Sequence, residues 1–153
     1  MKKGLIAAII LFACVCLAGC APAAMPSATP PQAVAGVLDL RDWDFARDGN
    51  VHLAGEWGFF WQEFVPPNEA LTRDDVAYVE VPEEWQDYDL PDATTDVEGY
   101  GTFVLTVLLP DDVPAYGLYN DGQGSAYTLW IDGDRIAESG AVGTSMASMV
   151  PNK

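Results

Sequence analysis

From Leu38 onward the apolar residues of this chain recur at every second position, and almost nowhere do they keep a helical spacing. Leu38 and Leu40 alternate with Asp39 and Arg41, and Val51 and Leu53 alternate with His52 and Ala54. Ala77, Val79 and Val81 alternate with Tyr78 and Glu80, and Pro82 closes that run. Phe103, Leu105, Val107 and Leu109 form one face opposite Thr102, Val104, Thr106 and Leu108. Side chains along a strand point alternately to its two faces, so each run predicts a strand with at least one face buried. Residues Ser125–Ile131, centred on Tyr127, Leu129 and Trp130, predict another. Asp48-Gly49, Asp121-Gly122 and Asp132-Gly133 punctuate the runs. The last of these separates Ser125–Ile131 from Arg135–Glu138, as a tight hairpin requires. Only Pro67–Asp75 hints at a helix. Short strands with Gly, Pro and Asp turns predict an all-β sandwich or barrel, and the sandwich is favoured.

The first twenty residues carry a different message. Lys2 and Lys3 precede an apolar stretch from Leu5 to Leu17, and Leu17-Ala18-Gly19-Cys20 follows. A charged start, a short apolar run and small residues describe a secretory signal peptide. The small-small-Cys ending resembles the bacterial lipobox, which implies that Cys20 is acylated and that residues 1–19 are removed. The alternatives are a plain signal peptide with an incidental cysteine, or an uncleaved anchor, for which the apolar run is short. Each buried acyl methylene contributes about 0.8 kcal/mol, so several chains together anchor a protein durably. No cysteine follows Cys20. Disulfides, zinc-thiolate sites and cysteine nucleophiles are therefore excluded from the body of the chain, which must stand on its hydrophobic core. Residues 20–35, rich in Ala and Pro with no charge and no aromatic, predict a disordered tether. Residues 36–153 hold every Trp, Tyr and acidic residue and form the expected domain.

Charge removes one class of partner. Acidic residues number 23 against 7 basic ones, for a formal charge of −16, and no basic cluster exists to collect phosphate. Nucleic acid is not an expected partner.

Catalysis finds little support either. His52 is the only histidine and reads as an outward-facing surface residue. No Gly-x-Ser-x-Gly elbow is present, and Gly143-Thr144-Ser145-Met146-Ala147 lacks the second glycine and a strand-to-helix setting. Gly122-Gln123-Gly124 reads as a turn and not as a phosphate cradle, since no Lys-Ser/Thr follows it. Asp111, Asp112, Asp121, Asp132 and Asp134 could offer oxygens to a structural calcium ion, but their spacing is not that of an EF-hand. The expectation is a protein that is not an enzyme and needs no cofactor.

The aromatic residues are more informative. Trp57, Phe59 and Trp61 share one strand face, opposite Gly58, Phe60 and Gln62, and Trp57 is the first choice for the core among them. Trp85, Tyr88 and Tyr100 lie in or beside the Pro/Asp/Gly-rich segment 82–101. Rings there could stack on the C–H face of a sugar while Asp87, Gln86 or Asp92 accept hydroxyl hydrogen bonds. Loops at one end of a sandwich are where such groups collect. The other reading makes Trp85 and Tyr100 plugs for the end of the sandwich.

An ordered set of short stretches also resembles a known family. Gly36-Val37-Leu38-Asp39-Leu40 leads to Trp43-Asp44-Phe45, then Asp48-Gly49, then Leu53-Ala54-Gly55-Glu56-Trp57-Gly58-Phe59-Phe60-Trp61. Val81-Pro82, Trp85, Gly99-Tyr100-Gly101-Thr102-Phe103, Trp130-Ile131-Asp132-Gly133, Ser139-Gly140 and Val142-Gly143 follow. This order resembles the extracytoplasmic N-terminal domain of bacterial seven-transmembrane receptors with diverse intracellular signalling modules. More distantly it is similar to the sugar-binding domain of family-two glycoside hydrolases. The resemblance implies a galactose-binding-like jelly roll that binds a small ligand, a carbohydrate or a carboxylate, as the input of a membrane receptor. The chain departs from that pattern in having no transmembrane helices after the domain and in reaching Lys153 soon after Gly140–Gly143, where these folds add closing strands. A fragment of a longer protein is therefore expected, with a downstream signalling domain outside this chain. The expected location is the extracytoplasmic face of the cell membrane, held by lipid at Cys20. The competing expectations are an accessory domain of a cell-surface glycoside hydrolase or esterase, and a standalone structural lipoprotein.

Overall fold

The computed structural model describes residues 28–111, 115–120 and 125–151. Cys20, the signal segment, Asp112, Asp121 and Gly122-Gln123-Gly124 lie outside the described residues. Strands dominate: β1 (Val37–Asp39), β2 (Gly55–Trp61), β3 (Ala77–Val81), β4 (Asp89–Leu90), β5 (Ala93–Thr94), β6 (Gly101–Val104), β7 (Thr106–Leu108), β8 (Tyr127–Ile131) and β9 (Asp134–Ser139). Single helical turns occur at Phe45–Asp48 and Pro67–Ala70, and a 3₁₀ turn at Trp85–Asp87. The expected β-rich chain is present. Its strands divide among four small sheets, ordered β1-β7, β3-β2-β6, β4-β5 and β8-β9, and no sandwich or jelly roll is shown by them.

Strand β2 is the centre of the largest sheet, antiparallel to both neighbours, with Phe59 opposite Ala77 on β3 and Phe103 on β6. Trp57, Phe59 and Trp61 face one side with Val79 and Phe103, while Gly58 and Phe60 face the other with Tyr78 and Val104. Alternation in the sequence predicts this division. It also allows for a strand covered on both faces, and β2 is one. Phe59 packs with Val79 and Tyr88 beneath Trp61, Trp85 and Leu90. On the reverse face, Phe60 packs with Val65, Ala70, Val76 and Val104. Two adjacent aromatics can both be buried only where chain lies on both faces of the sheet. The fully buried ring is therefore Phe59, and Trp57, the sequence's first choice, is half-buried.

A third apolar cluster gathers Ala33, Leu38, Leu40 and Trp43 with Phe45, Val51, Leu53, Trp57, Leu105 and Val107. Val51 and Leu53 point inward and His52 outward as predicted, but residues 51–54 form no strand. The Trp43 indole N–H donates to the Gly49 carbonyl at 3.0 Å, closing the loop after Phe45–Asp48. Ala33 belongs to the fold although the sequence places it in the tether. Its N–H donates to Ala54 O at 2.8 Å and its carbonyl accepts from Glu56 N at 2.9 Å.

The single strand predicted over residues 102–109 is divided at Leu105. Its first half, β6, pairs antiparallel with β2, and its second, β7, pairs parallel with β1. One continuous apolar pattern thus serves two sheets, the usual way a strand turns a corner between them. The hairpin at Asp132-Gly133 forms as expected, with φ of 50° and 86° at the two turn residues, the positive pair that a two-residue hairpin turn favours.

Every arginine of the chain sits in an ion pair. Arg41 pairs with Asp39, Arg47 with Asp48, Arg73 with Glu63 and Asp75, and Arg135 with Glu138. Asp48 is the buried member of the set, its side chain 3% exposed. The Arg47 fork beside it holds its carboxyl below the ordinary aspartate range, against the opposing effect of burial. A carboxylate lowered in the folded state stabilises fully above its unfolded pKa and loses that contribution as pH falls through the folded value. Wild type is therefore expected to exceed Asp48→Asn in thermal midpoint at pH 7, with the gap closing as pH drops below about 4. Circular dichroism melts of both proteins from pH 7 to pH 2 check this, and a gap independent of pH contradicts it.

Candidate functional site

A cleft of about 340 Å³ opens between the aromatic face of the large sheet and the segment that follows β3. Glu83, Glu84, Trp85, Gln86, Val97, Phe103 and Ser125 line it. Pro82 ends β3 and leaves the chain free to cross the sheet face. The 3₁₀ turn Trp85–Asp87 then aims Trp85 back onto Trp61, with ring centroids 5.6 Å apart in an edge-to-face contact. The indole N–H of Trp85 donates to Val97 O at 3.2 Å, joining the two edges of the cleft. Phe103 supplies a second aromatic surface. Its ring lies 4.5 Å from that of Phe59 and 6.3 Å from that of Tyr88, yet it keeps 38% of its surface exposed.

The polar groups come mainly from one short run. Glu84 Oε2 accepts from Gln86 Nε2 at 2.8 Å, which orients both side chains. Glu83 has no ion-pair partner among the described residues, and its carbonyl accepts from the Tyr88 hydroxyl at 3.2 Å. Burial, and secondarily the Glu83 carboxylate, pushes the Tyr88 phenol above its ordinary pKa. Such a cleft offers flat apolar walls, two carboxylates, an amide and a hydroxyl. It can stack on a ring and accept hydrogen bonds from it.

The four residues expected to bind ligand are dispersed. Trp85 is half-exposed in the cleft wall. Tyr88 is buried, 8% exposed, and packs edge-to-face on Phe59 at 5.4 Å, so it supports the cleft from beneath and presents no free face. Asp87 is exposed on the 3₁₀ turn and is not among the cleft residues. Tyr100 packs in a tilted contact on Phe64, with ring centroids 4.9 Å apart, and is not among the cleft residues. Gln86 joins the cleft, whereas Asp92 lines a second one of about 390 Å³ with Trp61, Glu63, Asp75 and Pro91. Of the two residues alternatively read as structural plugs, Trp85 packs against the Phe59 cluster and Tyr100 against Phe64. Sequence reasoning missed Glu83, Glu84 and Phe103. The run Glu83-Glu84-Trp85-Gln86 straight after a strand-ending proline was the available signal for the first two.

Among the described residues no group of three His, Cys, Asp or Glu side chains is placed to hold a metal ion. The calcium arrangement involving Asp112 and Asp121 lies outside them. Among the described residues, too, no helix is long and apolar enough to cross a membrane. No family model, curated protein or solved structure matches the chain.

Proposed function

We propose that this protein is a lipid-anchored, extracytoplasmic binding module that recognises a carbohydrate and serves as the input domain of a membrane signalling receptor. The observation that carries the reading is the cleft, in which Trp85 and Phe103 flank hydrogen-bonding side chains from Glu83, Glu84 and Gln86. Sugars present both an apolar C–H face and a rim of hydroxyl donors, and this lining complements both. A carboxylate ligand is disfavoured, because no basic residue lines the cleft among the described residues and every arginine is engaged elsewhere. The export segment and the Leu17-Ala18-Gly19-Cys20 ending support the anchor and the location. Burial on both faces of β2 and the strand divided at Leu105 support a galactose-binding-like jelly roll as the parent architecture. Signalling would follow from a difference in ligand affinity between two arrangements of the domain and its membrane portion.

Isothermal titration of the protein against a panel of oligosaccharides tests the reading. A ring stacked at the centre of a site typically accounts for about 2 kcal/mol or more of affinity, so Trp85→Ala is expected to weaken binding about thirtyfold. Because Trp85 also packs on Trp61, Gln86→Ala, an exposed position, is made alongside it. That variant should keep the wild-type melting temperature while losing affinity. Absence of binding across the panel, or unchanged affinity in both variants, overturns the proposal.

A further inference from the structure

The cleft lining specifies more than a sugar ring. Among the described residues its charged groups are all of one sign: Glu83 and Glu84 contribute carboxylates, and no lysine or arginine is among the lining residues. Arg41, Arg47, Arg73 and Arg135 are each held by acids elsewhere, and Lys2, Lys3 and Lys153 are the only lysines of the chain, at its extreme ends. Neither Glu83 nor Glu84 has an ion-pair partner among the described residues. The two walls beside them are aromatic, and the face of an indole or phenyl ring attracts a cation through its quadrupole. Rings alone would suit any sugar, and carboxylates alone would mark only a solvated edge. Together in one cleft, with no cation among the described residues beside them, they favour a ligand that carries a positive charge on a sugar ring.

We infer that the cleft selects sugars bearing a free, protonated amine over their neutral or N-acylated counterparts. The inference rests on the carbohydrate reading above and adds its charge. The ammonium would sit against the Glu83 and Glu84 carboxylates at the rim of the Trp85 and Phe103 rings. Charge-assisted hydrogen bonds are roughly twice as strong as neutral ones. Acetylating the amine removes both the charge and two donors while leaving the ring free to stack.

Oligomers of glucosamine and of N-acetylglucosamine of the same length form the direct comparison, titrated against the full chain at pH 6 and low salt. The glucosamine oligomer is expected to bind about tenfold more tightly, with a preference that shrinks as salt screens the charges. Glu83→Gln/Glu84→Gln, at two exposed positions outside the core, should erase the preference by weakening the glucosamine oligomer much more than the acetylated one. Equal binding of the two oligomers, or preference for the acetylated one, overturns the amine selectivity while sparing the carbohydrate reading. Binding of neither, nor of any neutral glycan in the panel, overturns both. A preference that survives the double substitution shows that other acids of this chain attract the amine, and it overturns the assignment to this cleft.

Discussion

Phe59→Ala is expected to cost about 3–5 kcal/mol of folding stability, the range for a large aromatic truncated in a packed interior. Phe59 is 1% exposed, the largest fully buried side chain of the described residues, and its ring meets those of Trp61, Tyr88 and Phe103. Each of these contacts belongs to a different element: β2 itself, the segment after the 3₁₀ turn, and β6. Removing the ring therefore empties the centre of the cluster that joins the sheet to its covering segment. A small domain has only about 5–15 kcal/mol in hand, so the variant should be partly unfolded at 37 °C. Leu71→Ala, at a position 69% exposed, is the control and should stay within about 0.5 kcal/mol of wild type. Urea denaturation followed by tryptophan fluorescence measures both. A cost below about 1 kcal/mol for Phe59→Ala would mean that this cluster does not hold the segment to the sheet.

The same cluster shows where a period-two reading succeeds and where it stops. Alternation assigns Phe59 and Phe60 to opposite faces of β2 correctly, because the pleat alone decides that. It cannot say what lies against each face. Phe60 is buried by Val65 and Ala70, residues of an irregular stretch and one helical turn whose own pattern carries no period. Leu38 and Leu40 were readable as core for the opposite reason: their run is short, strictly alternating and bounded by charge, and both are almost fully buried. The division at Leu105 was invisible, since residues 102–109 alternate without interruption and only the choice of partner strands breaks them. In the cleft, Trp85 was legible from its loop setting. Phe103 was not, because a residue on the inward face of a strand reads as core whether or not the chain covers it. Tyr88 was misplaced for the converse reason: a tyrosine in a Pro/Asp-rich loop reads as exposed, and only the fold reveals that its ring turns under the loop.

The second large effect concerns backbone, where side-chain pattern says nothing. Gly55 opens β2 with φ at 107°, and a Cβ placed there would lie 2.5 Å from Ala33 O and 2.6 Å from Ala33 N. Those atoms cannot swing aside as a side chain could. They are fixed by the bonds from Ala33 N to Ala54 O and from Glu56 N to Ala33 O, and the next residues are tied by Ala35 N to Glu56 Oε2 and by Gly36 N to Glu56 O. Gly55→Ala must therefore strain the backbone and displace the strap that seats Ala33 and leads into β1. Strained φ and lost hydrogen bonds together make the expected cost on the order of 3–5 kcal/mol. Gly133→Ala separates the two contributions. Gly133 also has a positive φ, 86°, but its Cβ would meet nothing within 4 Å, so only the conformational part, roughly 1–2 kcal/mol, should appear. If the two variants melt together, the strap contributes nothing and the fold begins at β1. If Gly55→Ala falls well below Gly133→Ala, and hydrogen exchange at the Ala33 and Gly36 amides accelerates with it, residues before Gly36 are part of the folded domain. A shortened protein that starts at Gly36 should then lose stability for the same reason.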